Sequence, residues 1–416
     1  MTLTRRGILG AGTLAVAATP VRRSFAQAAR NSDDTVRIGI LHDMSGPYRD
    51  ISGPTSVVCA RQAIQEFTAA NPSIKVELLA ADHLNKPDHG LAIVRQWFDE
   101  GGVDAVIGVS NSALAIALKS VVEQKDKLHL NTGAATSALT SEYCSPNALH
   151  WGYDTYCLAN ATGAPLVKQG LDSWFFITPN YAFGKTFQAD VTASVEGAGG
   201  KVIGGVTYPF PETTDFSAYL LQAQASRAKA IAFTGAGADF VNVVKQAAEF
   251  GLTRGDTKFV GFTGYINSVM ALGLKAAQGL TESETFYWDL NDRTRSFMAR
   301  VKPQLPANVF PCHNQAGDYA VLVHYLKVVK EMGPAKAKAS GRETMAAMKA
   351  MPTDDDCFGK GMIRADGRKI HPAYLFGVKS PEESRYPGDV YKVLAVTPAD
   401  QAFRPMSEGK CAMVKS

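Results

Sequence analysis

No apolar run in this chain reaches the roughly 20 residues that a membrane-spanning helix needs. Direct membrane insertion is therefore not expected. An excess of one charge is also missing. Four of the 43 basic residues, Arg5, Arg6, Arg22 and Arg23, sit in residues 1–26, which contain no acid, and the rest of the chain balances at 39 residues of each sign. Without a basic stripe there is no electrostatic footprint for nucleic acid or an anionic membrane. Cysteine is sparse. Cys59, Cys144, Cys157, Cys312, Cys357 and Cys411 are widely spaced and match no zinc pattern. The chain has no Gly-x-Ser-x-Gly elbow, and Gly235-Ala236-Gly237 lacks the third glycine and the distal acid of a dinucleotide loop. Ser, His and Asp occur, but no spacing places them as a triad. No enzyme, cofactor or metal is expected.

The first 26 residues read as an export signal. Arg5-Arg6 precede an apolar stretch at 8–18, and Ser24-Phe25-Ala26 supplies small residues at a cleavage site. The paired arginines resemble the twin-arginine type. A periplasmic location is expected, and disulfides form in that compartment. Six cysteines allow 15 pairings, and sequence alone does not choose among them. Cys411, five residues from the end, is expected to staple the tail to Cys144.

What remains is about 390 residues, more than one core holds, so two lobes are expected. Residues 36–41 are a short aliphatic run that reads as a buried strand. Ser45-Gly46-Pro47 breaks it, and 55–67 has helical spacing. The alternation continues with strands at 74–79, 103–109 and 128–131 and helices at 91–100 and 113–124. Residues 143–155 read as an irregular crossover. A second alternation follows, with strands at 174–177, 201–208, 230–233 and 258–262 and helices at 185–196, 216–226 and 238–250. From 286 the chain is expected to return to the first lobe, with an amphipathic helix at 316–331, a small-residue linker at 334–340, a helix at 342–350 and a hairpin around Asp366-Gly367. A last strand is expected at 391–396. Strict strand–helix alternation means parallel sheets covered on both faces. The expected division is 31–153 with 286–378 for one lobe, and 156–283 with 380–416 for the other.

Loops that follow strands in such sheets face small ligands. Such loops carry Tyr48, Arg49, Tyr153, Tyr181 and Tyr265, and Gly235-Ala236-Gly237 suits close backbone approach to a solute at Ala236. Backbone N–H groups at a strand-to-helix turn suit an anion. Ser112 and Thr136 also suit plain helix capping. Asp82, His83, Asp88 and His89 share a loop without metal-ligand spacing.

The order of Ile38-Gly39-Ile40, Met44-Ser45-Gly46-Pro47, Val106-Ile107-Gly108, Thr132-Gly133-Ala134-Ala135-Thr136, Tyr181-Ala182-Phe183-Gly184 and Arg364-Ala365-Asp366-Gly367 resembles type I periplasmic binding proteins, in particular the branched-chain amino-acid receptors of ABC transporters. The resemblance spans roughly 36–378. It implies two lobes joined by three hinge crossovers that close on a small solute, delivery to a membrane permease, and a monomer. It also implies a ligand carboxylate held at Ser112, with Asn111 beside it, and at the turn of Ala134, Ala135 and Thr136, and an aromatic packing residue at Phe183. The family's acid for an amino group would fall around 262–265. That loop has Thr263 and no acid, so an aromatic or other apolar carboxylate is expected in place of a plain amino acid. The alternatives are a branched-chain or other amino-acid or amide receptor, a ligand sensor for a membrane signalling protein, and a hydrolase or lyase on this fold.

Overall fold

The aliphatic run after residue 35 forms β1 (Val36–His42), buried at every position but one. It does not alternate, because a strand covered by helices on both faces has no solvated side. The structure, a computed structural model, describes residues 35–252 and 257–414. The expected export signal at 1–26 lies outside the described residues.

From β1 the chain runs through α1 (Gly53–Ala70), β2 (Val76–Asp82), α2 (Pro87–Asp99), β3 (Ala105–Gly108), α3 (Ser112–Lys125), β4 (Leu128–Asn131) and β5 (Ala148–His150). These strands form one parallel sheet in the order β2-β1-β3-β4-β5. Residues 143–155 are thus not wholly irregular. At three residues, β5 is too short to carry a readable period. A second parallel sheet repeats the plan with α4 (Thr155–Lys168), β6 (Ser173–Pro179), α5 (Ala182–Gly197), β7 (Lys201–Tyr208), α6 (Ser217–Ala225), β8 (Ala230–Phe233), α7 (Ala238–Glu249) and β9 (Lys258–Gly261), in the order β7-β6-β8-β9. In each sheet the first strand lies between the second and the third. Successive connections therefore leave in opposite directions beside it, and the crevice this opens at the carboxyl ends is where α/β sheets hold ligands.

After α8 (Ile266–Leu272), α9 (Leu274–Ala277) and β10 (Thr281–Glu284), the helices α10 (Asp292–Val301) and α11 (His313–Met332) pack on α1. The sequence suggests an amphipathic helix from 316. In the structure α11 starts at His313 and buries 15 of its 20 residues, because α12 (Pro334–Ala339), α13 (Gly341–Ala350) and β11 (Thr353–Asp355) cover it on the sides that α1 does not. Its one deeply buried acid, Asp318, is satisfied by the Thr132 hydroxyl at 2.5 Å and His42 Nε2 at 3.0 Å, which pins α11 to the ends of β1 and β4. Residues 334–339 are helical rather than a linker; proline in the first turn and alanines favour that.

β12 (Gly359–Ile363) and β13 (Lys369–Ile370) form the expected hairpin around Asp366-Gly367. β14 (Ala373–Val378) pairs with β10 and with β15 (Tyr391–Thr397), so the expected boundary at 378–380 falls between two strands of one antiparallel sheet. The tail, with α14 (Ala399–Ala402), then crosses to the other lobe. Arg404 bonds Ser137 and Asp190 at 2.8 and 2.9 Å, and Cys411 is disulfide-bonded to Cys144. Among the described residues no helix is long and apolar enough to cross a membrane.

Candidate functional site

The loop after β1 is shaped by a single carboxylate. Asp43 is fully buried and accepts hydrogen bonds from Gly46 N–H (2.6 Å), Tyr48 N–H (2.8 Å) and Asn85 Nδ2. The Ser52 hydroxyl donates to the Tyr48 carbonyl at 2.8 Å, and Ser110 Oγ accepts from Asp43 N–H at 3.1 Å. His83 Nε2 lies 3.2 Å from Ser110 Oγ, and burial pushes its imidazole down to about 3, so it stays neutral. The loop holding Asp82, His83, Asp88 and His89 thus buttresses the β1 turn. No group of three His, Cys, Asp or Glu among the described residues is placed to hold a metal ion.

Eight of the thirteen candidate ligand residues line one crevice between the sheets. Tyr48 comes from the loop after β1, Ser112 from the start of α3, and Ala134 and Ala135 from the turn after β4. Tyr181 and Phe183 open α5, Ala236 follows β8, and Tyr153 stands in the first passage between lobes. In this state the crevice is nearly filled by its own side chains, with a free volume of about 20 Å³. Its aromatic wall crosses the lobes. Phe210, just after β7, stacks on Tyr48 at 5.2 Å and on Tyr181 at 4.6 Å, and the two tyrosine hydroxyls meet at 2.5 Å. Burial keeps both phenols well above their usual range, so they remain neutral donors. Ala238 N–H donates to the Pro47 carbonyl at 2.9 Å, and Thr136 donates to Thr186 Oγ1 at 3.0 Å. These bonds join opposite lobes, so the chain stands closed.

Five candidates are not brought into the crevice. Arg49 is turned outward and pairs with exposed Asp50 at 2.8 Å, because Asp43 draws the backbone amides of this turn inward. Asn111 caps α3 by accepting from Leu114 N–H at 3.0 Å. Thr136 bridges lobes and donates its N–H to Ser112 Oγ at 3.3 Å. Thr263 donates to the Gly235 carbonyl, and Tyr265 packs edge-on behind Tyr153 at 5.7 Å. In the β4 turn, Ala134 N–H is held by Asn131 Oδ1 at 3.1 Å, whereas the Ala135 N–H has no partner among the described residues.

Ile51, Ser110, Gly133 and Asn314 also line the crevice, and sequence reading missed them. Asn314 lies in the first turn of α11, distant in sequence from every other lining residue. The polar run Cys312-His313-Asn314-Gln315 ahead of an apolar helix is the only local trace of it.

No acid lies at 262–265, but β10 supplies two beneath that loop. Glu282 accepts from Gly264 N–H at 2.7 Å, and Glu284 accepts from Ile266 N–H and the Tyr391 hydroxyl at 3.1 Å each. Burial pushes the Glu284 carboxyl up to about 8 and Glu282 well above its usual range. Neighbouring His313 accepts from Thr285 N–H at Nδ1 and is held neutral by burial. The folded pKa of Glu284 is raised, so the fold binds an extra proton between about pH 4.5 and 8. Stability falls through that window by up to about 1.4 kcal/mol per pH unit and levels off above it. Glu284→Gln is expected to flatten the decline of melting temperature between pH 5 and 8. Melting curves that stay parallel to wild type across that range would rule the assignment out.

The sequence profile of the periplasmic binding protein family matches residues 35–383. A periplasmic binding protein from Burkholderia mallei is 40% identical, with a TM-score of 0.86 over 92% of this chain and 100% of that one. A branched-chain amino-acid ABC transporter periplasmic ligand-binding protein from Burkholderia xenovorans is 35% identical, with a TM-score of 0.79 over 91% and 99%. A solute-binding protein of an R. palustris ABC transporter, solved with benzoate, shares the fold at 18% identity, with a TM-score of 0.75 over 89% and 99%. A search of curated proteins finds no match. With two parallel-sheet lobes facing one crevice and a match over most of its length, the chain belongs to the type I periplasmic binding proteins, receptors rather than enzymes, which hold a small organic solute between their lobes for an ABC importer.

Proposed function

We propose that the solute is an aromatic or other apolar carboxylate. One observation carries this reading: the crevice is lined by four aromatic side chains and by no acidic or basic one. An enclosed ammonium would find no carboxylate in that lining, and burying it unpaired is costly. A carboxylate would meet the free Ala135 N–H and Ser112, which starts the 14-residue α3, where the helix dipole favours negative charge. Tyr48, Tyr181 and Phe183 would enclose the ring. The benzoate held by the R. palustris relative is consistent with this reading, and the B. xenovorans relative keeps branched-chain amino acids in contention. Solute shifts the chain toward the closed state because only that state contacts it from both lobes, and the permease reads closure. Export by a twin-arginine signal and a monomeric state complete the proposal.

Titration calorimetry with purified protein tests it against benzoate, hydroxybenzoates, short keto acids and leucine. Binding of a benzoate-class acid with no response to leucine is expected. Tight leucine binding with no response to the acids overturns the reading.

A further inference from the structure

Asn314 lines the crevice with its side chain fully buried; neither amide atom, Oδ1 nor Nδ2, makes a hydrogen bond of ordinary length among the described residues, and the neighbouring Tyr153 phenol is the polar side chain that interacts with it. Its neighbours are otherwise engaged. Cys312 donates through Sγ to the Ile51 carbonyl at 3.3 Å, His313 stacks on Tyr153 at 3.9 Å, and Gln315 donates to the Asp50 and Ser52 carbonyls at 3.0 Å each. These contacts hold the first turn of α11 rigidly against the β1 loop, so the amide is presented from a fixed position. A buried amide short of hydrogen bonds is costly in an empty protein and is recovered when a ligand supplies the missing donor and acceptor.

We propose that Asn314 determines specificity by binding a neutral hydroxyl on the solute. Resting on the aromatic-carboxylate reading above, this makes the preferred class hydroxy-substituted aromatic acids. A phenolic hydroxyl answers both halves of the amide. Its proton is donated to Oδ1, and its oxygen accepts from Nδ2. The carboxylate does not compete for this position, because an anion accepts only and would leave Oδ1 unpaired. A site built to bond a hydroxyl discriminates strongly against the analogue that lacks it, since its own polar atoms are then left stranded.

Calorimetry on wild type, Asn314→Leu and Asn314→Ala with benzoate, 3-hydroxybenzoate and 4-hydroxybenzoate tests this. In wild type one hydroxybenzoate is expected to bind at least ~10-fold more tightly than benzoate. Both variants are expected to lose that preference, read within each variant as the ratio of its hydroxybenzoate and benzoate affinities. The corresponding methoxybenzoate, which cannot donate, tests the same point on wild type alone and is expected to bind no better than benzoate. Equal affinity of wild type for benzoate and both hydroxybenzoates overturns the role of Asn314 and leaves the carboxylate reading standing. A preference that survives in both variants also overturns it. Failure of every aromatic acid to bind overturns both.

Discussion

Gly237→Ala is expected to weaken solute binding by at least tenfold while the protein still folds. Gly237 has φ +63° and ψ −129°, a region that only glycine enters freely. A methyl group there would overlap the Pro47 carbonyl oxygen and touch Tyr48 Cδ1 at 3.0 Å. Pro47 and Tyr48 belong to the β1 loop of the facing lobe, so this overlap exists only when the lobes are shut. The open state feels the backbone strain, about 1–3 kcal/mol, but not the collision. Each additional ~1.4 kcal/mol on closure costs a factor of ten in apparent affinity, because solute must first populate the closed state. Gly251→Ala provides the control. Its φ is +74° and nothing lies within 4 Å of the added carbon, so it should lower the melting temperature without changing affinity. Calorimetry and thermal denaturation on both variants separate strain from collision. An unchanged dissociation constant for Gly237→Ala would mean that the Pro47 contact plays no part in closure.

Arg368→Met should be the most destabilising of these substitutions. Arg368 is fully buried. Its guanidinium donates to the carbonyls of Trp151, Gly152 and Tyr153 and to Asp154 Oδ2 at 3.3 Å, and it lies 4.3 Å from the centre of the Phe403 ring. Burial pulls it down only to about 10, so it is charged at neutral pH. Residues 151–154 are the first passage between the lobes, and one side chain gathers its carbonyls. Methionine fills the volume but removes the guanidinium bonds to the Trp151 and Tyr153 carbonyls and to Asp154 Oδ2, while the Gly152 carbonyl keeps His371 Nε2 at 2.7 Å and Asp154 Oδ1 keeps Cys157 N–H at 2.8 Å. Removing one partner of a buried pair costs about 3–5 kcal/mol. In a chain of this size that lowers the melting temperature by about 5 °C. Arg368→Lys should recover only part of the loss, because an ammonium cannot spread over four acceptors as the planar fork does. A melting temperature within a degree or two of wild type for Arg368→Met would show that these carbonyls are satisfied without it.

The alternation of strands and helices was legible before any coordinates. Strands such as β1, β3, β6 and β8 are covered on both faces and read as short, largely apolar runs, aromatic in β6. Residues that directly follow strands, Tyr48, Ser112, Ala134 and Ala236 among them, could be named because a parallel sheet sends those turns to one edge. Arg49 shows where that reasoning stops. It neighbours Tyr48 in sequence, but Asp43 folds the turn so that one side chain faces the crevice and the other faces solvent. Phe210 and Asn314 mark a second limit, since the chain reaches them long after the loops they meet.

Local order thus settled which segments are strands, because burial on both faces leaves its mark residue by residue. Sheet order, the pairing of Glu282 and Glu284 with a loop that contains no acid, and the stranded amide of Asn314 came only with packing. Whether a polar atom finds a partner depends on groups brought in from elsewhere along the chain, and a one-dimensional pattern does not record them.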